Sequence, residues 1–386
     1  MSRVPTGNPA LAGLTRSVYS QLAGRLASYQ GPIFPLHVGD TYLEPVACAR
    51  MENQRVEDES GLHRYANPRG RNDLIEAVLW ARERKDRRAI SADRVLITAG
   101  ATAGLNAAVR ALTVPGQEIL VLSPHWPLIR GMSTAHGLSV NEVPFYDLAD
   151  DRETALAILS EQIHANTAAV YVNWPNNPSG LVPSTEVVEA IIELAVSNDL
   201  WVITDEVYED YVYTEGAPRL SDYPEISDRL VRCFSFSKAY GLAGLRVGYN
   251  IAPPEAIAKM EAITTYTVYS VNTAGQRAAA RALREGDGWL SKAHAAYREA
   301  GFRAAERLGV PAPGGGTFLF VDVADALDER GMQGLLEDCV DQGLLISPGQ
   351  IFGPGYESYV RVCFTSASPD LVGTGVEVLA KRLARG

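Results

Sequence analysis

The chain has 386 residues, 46% of them hydrophobic and 21% charged, which is apolar material for more than one core and far from the composition of disorder. Its 46 acidic against 35 basic side chains give a net charge of −11, which argues against nucleic acid or an anionic membrane surface as the main partner and favours a small-molecule enzyme. Cys48, Cys233, Cys339 and Cys363 lie far apart with no CxxC pair, the N-terminus lacks a signal-peptide pattern, and no apolar run approaches the roughly 18 residues that span a bilayer. A soluble protein of the reducing cytoplasm is expected.

The opening residues are small and polar without sustained periodicity, and GPIFPLHVGD then brings prolines and glycines before regular sequence begins, so residues 1–45 read as an arm that also joins a smaller domain. From Asn72 a helical spacing sets in, with Leu74, Ile75, Val78 and Leu79 on one face, and RVLITAG follows as a short buried strand ending in glycine. Leu105, Ala108, Val109 and Leu112 repeat the helical spacing, and EILVLSP and AAVYVNW read as strands. Val187, Val188, Ile191 and Ile192 mark a helix that Ser184 can cap, after which WVITDEV and RLVRCFSFSK complete the series. Strands this apolar, alternating with helices, predict an α/β domain over residues 46–275 whose mostly parallel sheet is covered on both faces. After Asn272, AGQRAAARAL begins an Ala-rich helix; GGGTFLFVDV, a helix near Met332 to Gln342 and YVRVCF then predict a smaller α+β domain over residues 276–386.

Ligands of an open parallel sheet bind beyond the carboxyl ends of its strands, so the residues after each apolar run are the candidates. Ala101 and Thr102 follow RVLITAG, Asn176 and Asn177 follow AAVYVN, Asp205 and Tyr208 follow WVIT, and Ser235, Ser237 and Lys238 follow VRCF. Thr102, at a helix start after Gly100, stands where backbone N–H groups and the helix dipole accept a phosphate, or it is an ordinary cap. Ser235 and Arg246 add donors for the same anion. Lys238 is either a desolvated amine, nucleophilic toward carbonyls, or a side chain that snorkels to the surface. Asp205 is an acid within the site, a helix cap or half of a surface ion pair, and Tyr208 lies beside it or simply packs. An anion site, an amine and a carboxylate at neighbouring strand ends are what pyridoxal 5′-phosphate requires.

On these residues the chain resembles the pyridoxal-phosphate-dependent class I/II aminotransferases, the aspartate aminotransferase superfamily of fold type I. YANPRG, ITAGATAG, NWPNNPSG, DEVYEDY, SFSKAYGLAGLRVGY, SPGQIFG and YVRVCF match the family's segments in order, over roughly residues 30 to 380. The resemblance implies a large domain with a mostly parallel seven-stranded sheet, a smaller α+β domain, and ping-pong transfer of an amino group from an L-amino acid to a 2-oxo acid through aldimine and quinonoid states. It makes Lys238 the Schiff-base lysine and proton shuttle, Asp205 the partner of the pyridine nitrogen, and Asn177 and Tyr208 donors to the phenolic oxygen. Ala101 through its backbone, Thr102, Ser235 and Arg246 become the phosphate cup. Tyr65 corresponds to a tyrosine that reaches the phosphate across a homodimer interface, and Trp126 to an aromatic stacked on the ring, unless it is a core tryptophan. Arg361 and Gly39 correspond to the holders of the substrate α-carboxylate, with Asn177 and Trp126 beside them.

Some positions depart from the family pattern. Trp174 replaces the first proline of the Asn-Pro motif and adds bulk near the cofactor edge, and Ser179 replaces threonine. TTYTVYSVN lacks the arginine that dicarboxylate-specific relatives place there, with Tyr266 at or near that position. With Tyr266, Tyr269 and Trp174 offering aromatic surface, neutral or aromatic donors are expected over aspartate, while Asp40 beside Gly39 could instead attract a basic side chain. No metal is expected, since His37, His63 and His125 lack ligand spacing. The competing readings are another enzyme on the same fold (a β-lyase, a cyclopropane-forming synthase or an amino-acid oxidase) and a cofactor-binding regulator, which would carry a helix-turn-helix module. A nicotinamide dehydrogenase would need GxGxxG after an early strand.

Overall fold

The structure, a computed structural model, describes residues 7–11 and 19–384; parts of the expected N-terminal arm and the last two residues lie outside these. In chain order the strands are β1 (Phe34–Pro35), β2 (Val95–Thr98), β3 (Glu118–Ser123), β4 (Ser139–Pro144), β5 (Thr167–Asn173), β6 (Trp201–Asp205), β7 (Leu230–Ser235), β8 (Gly248–Ile251), β9 (Phe318–Asp322), β10 (Leu344–Leu345), β11 (Ser347–Pro348) and β12 (Tyr359–Cys363). The α-helices are α1 (Tyr19–Ser28), α2 (Asn72–Asp86), α3 (Gly100–Leu112), α4 (Leu128–His136), α5 (Arg152–Ser160), α6 (Thr185–Ser197), α7 (Phe236–Ala239), α8 (Pro254–Thr267), α9 (Thr273–Glu285), α10 (Asp287–Leu308), α11 (Gly331–Val340) and α12 (Pro369–Leu383).

Seven strands form one sheet in the order β2-β8-β7-β6-β5-β3-β4, in which β8 runs antiparallel to both of its neighbours and the remaining pairs are parallel. Alternate residues feed two cores: Leu120, Val170 and Val202 pack under α6, while Ile119, Tyr171 and Ile203 pack with Leu105 of α3 and Met260 of α8. Burial of both faces is why these strands are unbroken apolar runs. Ser184 caps α6 by accepting the Val187 N–H at 3.3 Å. β4 and β8 carried no clear strand signal. β4 is the sheet edge and buries only Val143 among its residues, so its sequence is polar. β8 opens on Gly248, where an added Cβ would lie 2.5 Å from the Phe234 carbonyl and 2.9 Å from Gly100 C, so a residue without a side chain lets β7, β8 and the start of α3 close together.

A second, antiparallel sheet has the order β11-β12-β9, and β1 pairs in parallel with β10 beside it. Its core gathers Leu319 and Val321 of β9, Val360 and Val362 of β12, Leu335 of α11, Val372 and Leu379 of α12, and also Phe34 and Leu36 from the N-terminal stretch. The helix α9, expected with this C-terminal unit from residue 276 onward, packs elsewhere. Its Ala278, Ala279 and Ala282 join Leu74 and Val78 of α2 and Tyr249 of β8, because a face of alanines lets two helices approach closely on the outside of the large sheet.

Candidate active site

The carboxyl ends of β2, β5, β6 and β7 converge on a cavity of about 250 Å³ whose lining includes Gly39, Ala101, Thr102, Trp126, Asn177, Asp205, Tyr208, Ser235, Lys238, Arg246 and Arg361. A roomier groove of about 550 Å³ between α10 and α12 contains none of these residues. Each side chain arrives by a simple device. Asp205 ends β6 opposite Asn173 of β5. The Asn173 Nδ2 donates to the Asp205 carbonyl at 2.7 Å, while its Oδ1 accepts the Asn177 N–H at 2.7 Å. One asparagine thus ties two strand ends together. Tyr208 follows on the turn after β6, fully buried against Phe318.

At the opposite side of the cavity α3 begins with no capping side chain, so its first N–H groups are not satisfied by one. Gly100 there has φ +77°, and an added Cβ would lie 2.5 Å from the Arg246 guanidinium. Ser235 caps the short α7, its Oγ accepting the Ser237 N–H at 3.0 Å and lying 2.9 Å from Ser237 Oγ, to which Arg246 Nη1 also points at 3.4 Å. Hydroxyls, a guanidinium and a helix start therefore share one corner, a built anion site. Arg246 itself is exposed at the cavity's rim and holds φ +53°.

Lys238 projects from α7 into the cavity and donates to the Gly39 carbonyl. Burial holds its amine below the ordinary lysine value; Asp40 works against this, and the Arg361 and Arg246 cations add to it. Burial lifts Asp205 to about 7 despite bonds from Val207 N and the Tyr171 hydroxyl. Tyr208 is likewise raised by burial, with Arg361 opposing. Arg361, 8% exposed, lies between two aromatic faces, 4.3 Å from the Phe318 ring and 4.9 Å from Phe352. Its Nη1 donates to Asn177 Oδ1 at 2.8 Å and its Nη2 to the His37 carbonyl at 2.7 Å, while its buried Nε has no protein acceptor. The desolvated His37 imidazole, near Arg361, is pushed down to about 4 and is neutral near pH 7.

The structure separates other candidates from this group. Tyr65 is 85% exposed and does not line the cavity of its own chain; its ring meets Tyr269 edge-on at 5.2 Å. Tyr266, at the last turn of α8, is 91% exposed and Tyr269 49% exposed. Neither of them lies along the cavity wall of its own chain. Trp174, expected near the cofactor edge, turns away from it into the core beneath α6, because the residue after Asn173 faces the other side of the sheet. Two contributors carry no signal in the sequence: Tyr171 reads as core in an apolar run, and Phe318 lies in another. His125, near a matched motif, reads as structural or pocket-lining rather than as a metal ligand. His125 is buried, with Nδ1 3.0 Å from the Trp126 carbonyl and Nε2 2.8 Å from Glu142, and so it fixes the backbone of the tryptophan at the cavity.

Residues 32–379 match the family model described as Aminotransferase class I and II, a family that uses pyridoxal phosphate. An aspartate aminotransferase of Thermotoga maritima is 30% identical over 80% of this chain and 81% of its own length. The arginine–pyruvate transaminase of Pseudomonas aeruginosa is 28% identical over 86% and 85%. The crystal structure of the Thermotoga maritima aspartate aminotransferase superposes with a TM-score of 0.88 at 25% identity, covering 98% of this chain and all of that one. These similarities do not favour the lyase, synthase, oxidase or regulator readings. The chain belongs to the class I and II aminotransferases, and it is an enzyme of the transferase class with their α/β fold.

Proposed function

We propose that this enzyme moves the amino group of an L-amino acid to a 2-oxo acid with pyridoxal 5′-phosphate held in the cavity described above, and that it works as a homodimer. The observation that carries this reading is the position of the desolvated Lys238 amine in one cavity with the anion site at α3 and α7 and with the buried Asp205. The donor set fits the cofactor: hydroxyls and a guanidinium for a phosphate, a carboxylate for a ring nitrogen, an amine for an aldehyde. When bound, pyridoxal phosphate supplies a carbonyl that captures amines and a ring that draws electrons from the substrate α-carbon.

The chain's own residues do the rest. Thr102, Ser235, Ser237 and Arg246, with the N–H of Ala101, bind the phosphate and set the ring's position. Asp205 would hold the ring nitrogen, and a cation there supplies the counter-charge that its buried carboxylate otherwise lacks. Tyr208 and the Asn177 amide would donate to the phenolic oxygen, and Trp126 would cover the ring. Arg361 presents its guanidinium fork to the substrate carboxylate, which supplies the acceptor its Nε lacks. Lys238 Nζ would take the proton from the substrate α-carbon, and burial favours the neutral amine that this requires. Phe318, Val207 and Leu105 wall out water.

Two guanidiniums line the cavity, Arg246 and Arg361, and both have a task in this reading, so an uncharged substrate side chain is favoured over a second carboxylate. The homodimer is supported by Tyr65, Tyr266, Val268 and Tyr269, which the single chain leaves exposed in and beside α8 and the 60s turn. Among the described residues no helix is long and apolar enough to cross a membrane, and we place the enzyme in the cytoplasm on the strength of its unpaired cysteines. The test is the absorbance of the protein loaded with pyridoxal phosphate, recorded with a panel of amino acids. Bleaching of the aldehyde-form band by one or more donors, reversed by a 2-oxo acid, is expected; a spectrum unmoved by every donor overturns the reading.

A further inference from the structure

The carboxylate at the end of β6 has a partner deeper in the sheet. Tyr171 lies on β5 two residues before Asn173, and Asn173 sits directly across from Asp205. Side chains two apart on a strand share a face, so the Tyr171 phenol runs beneath the strand ends on the cavity side. Its Oη is 3.2 Å from Asp205 Oδ2, and the tyrosine is fully buried. The other carboxylate oxygen, Oδ1, is approached by the backbone N–H of Val207 at 3.4 Å, so each oxygen has one donor, and both favour the charged form. The phenol is thus the one side-chain donor that holds the orientation of this carboxylate among the hydrogen bonds found for it.

We propose that Tyr171 is a positioning residue for Asp205: its hydroxyl donates to Oδ2, favours the charged carboxylate and turns it toward the ring nitrogen of bound pyridoxal phosphate. The proposal rests on the cofactor reading above. The phenol suits the task because burial, reinforced by Asp205 itself, lifts its own ionisation well above the ordinary tyrosine value, so it remains a donor across the working range. The other side chains acting on Asp205 oppose its ionisation or are neutral: Glu206 beside it raises it, and Cys233 on β7, Tyr146 after β4 and Tyr208 after β6 are held protonated by burial. Without the Tyr171 hydroxyl, only the Val207 N–H remains to favour the charged form.

The test uses the full-length enzyme loaded with pyridoxal phosphate carrying a 15N label in the ring. Tyr171→Phe keeps the ring that fills the core and removes only the hydroxyl. It should lower cofactor affinity about two- to tenfold, the worth of one hydrogen bond, and move the pH at which the 15N signal shows loss of the ring proton downward by about half a unit to one unit. In an Asp205→Asn background the same substitution should change neither, since the partner is already gone. Site-specific 3,5-difluorotyrosine at 171, a stronger donor of nearly the same shape, should move the 15N midpoint upward and guards against a phenylalanine variant that does not fold. An unmoved 15N midpoint in the phenylalanine or difluorotyrosine protein, or an equal loss of affinity with and without Asp205, makes Tyr171 a packing residue and overturns the proposal. Failure of the wild-type enzyme to take up the cofactor at all would instead defeat the reading on which it rests.

Discussion

Arg361 gathers most of what this site can do with a substrate carboxylate. Its side chain is buried between Phe318 and Phe352, and its two terminal nitrogens are already steered by Asn177 and the His37 carbonyl. A lysine there offers a point charge without the planar fork and loses the aromatic stacking. Arg361→Lys should therefore raise KM about ten- to a hundredfold for every donor, the scale of one charge-assisted hydrogen bond, and leave the order of donors unchanged, as steady-state kinetics with phenylalanine, methionine and aspartate will show. The same panel tests the substrate side chain: aspartate as the best donor by about tenfold, or about 1.4 kcal/mol, would contradict the preference for uncharged side chains. Asp205 makes a pH prediction for the enzyme free of cofactor. Its folded value, about 7, lies above the ordinary carboxylate value of 3.8, so the folded state binds the proton more tightly than the unfolded state does. The stability this contributes is complete below pH 4 or so and is lost as the pH rises through about 7, the reverse of a salt-bridged aspartate. Thermal unfolding across that range should show a fall in Tm in the wild type that Asp205→Asn flattens; parallel curves would mean that Asp205 is not buried as described.

At the scale of elements, the start of α3 and the back of β7 carry the separate demands of binding and folding. Gly100→Ala would put a methyl group 2.5 Å from the Arg246 guanidinium at a residue with φ +77°, a backbone conformation costing L-residues roughly 1–2 kcal/mol. Cofactor affinity should drop well beyond that of the Tyr171 variant, measurable by equilibrium dialysis, because both the helix start and Arg246 must shift. Behind the site, Arg232 of β7 joins Asp86 of α2 at 2.7 Å and Glu206 at 2.8 Å, and all three are 5–9% exposed. Arg232→Ala strands the buried Glu206 carboxylate and leaves Asp86 only the Arg82 guanidinium at 3.8 Å, and it should lower stability by about 3–5 kcal/mol in a denaturant titration, with no group in the cavity removed. These elements differ in how far the sequence announced them. RVLITAG, AAVYVNW, WVITDEV and RLVRCF could be read as strands because both faces of a parallel sheet are buried, and once they are strands, topology sends Thr102, Asn177, Asp205 and Lys238 to one edge. β4 could not be read, since an edge strand keeps polar residues, and Tyr171 could not be singled out, since an aromatic in an apolar run is ordinary core until its hydroxyl is seen beside a carboxylate. Trp174 lies in the core beneath α6 and not at the cavity; nearness to a motif in sequence says nothing of which side of a strand a ring leaves from.

For the molecule as a whole, the informative feature is an aromatic surface held in place without a purpose inside its own chain. Glu59 pairs with Arg71 at the N-cap of α2 and with Arg277 of α9, and Thr273 Oγ1 donates to the Arg64 carbonyl at 2.5 Å, so the turn that carries Tyr65 is anchored to the large sheet's helices. Anchoring an 85% exposed tyrosine beside exposed Tyr269, with Tyr266 91% exposed on the neighbouring helix, has no stabilising effect on a lone chain; such a surface is expected where another surface covers it. If the cover is a second copy, Tyr65 can serve the phosphate corner of that copy's cavity, where Arg246 lies open at the rim. Two variants separate the parts of this idea. Tyr65→Phe should leave sedimentation unchanged and weaken cofactor retention by about 0.5–1.5 kcal/mol, or up to twice that for a charged acceptor. Tyr266→Asp should place a charge in the contact and shift the assembly toward monomer on dilution, so that cofactor retention becomes steeply dependent on protein concentration, as linkage between binding and association requires. A wild-type enzyme that sediments as a monomer while retaining pyridoxal phosphate and full turnover would show that each cavity is complete within one chain, and Tyr65 would then have no place in the site.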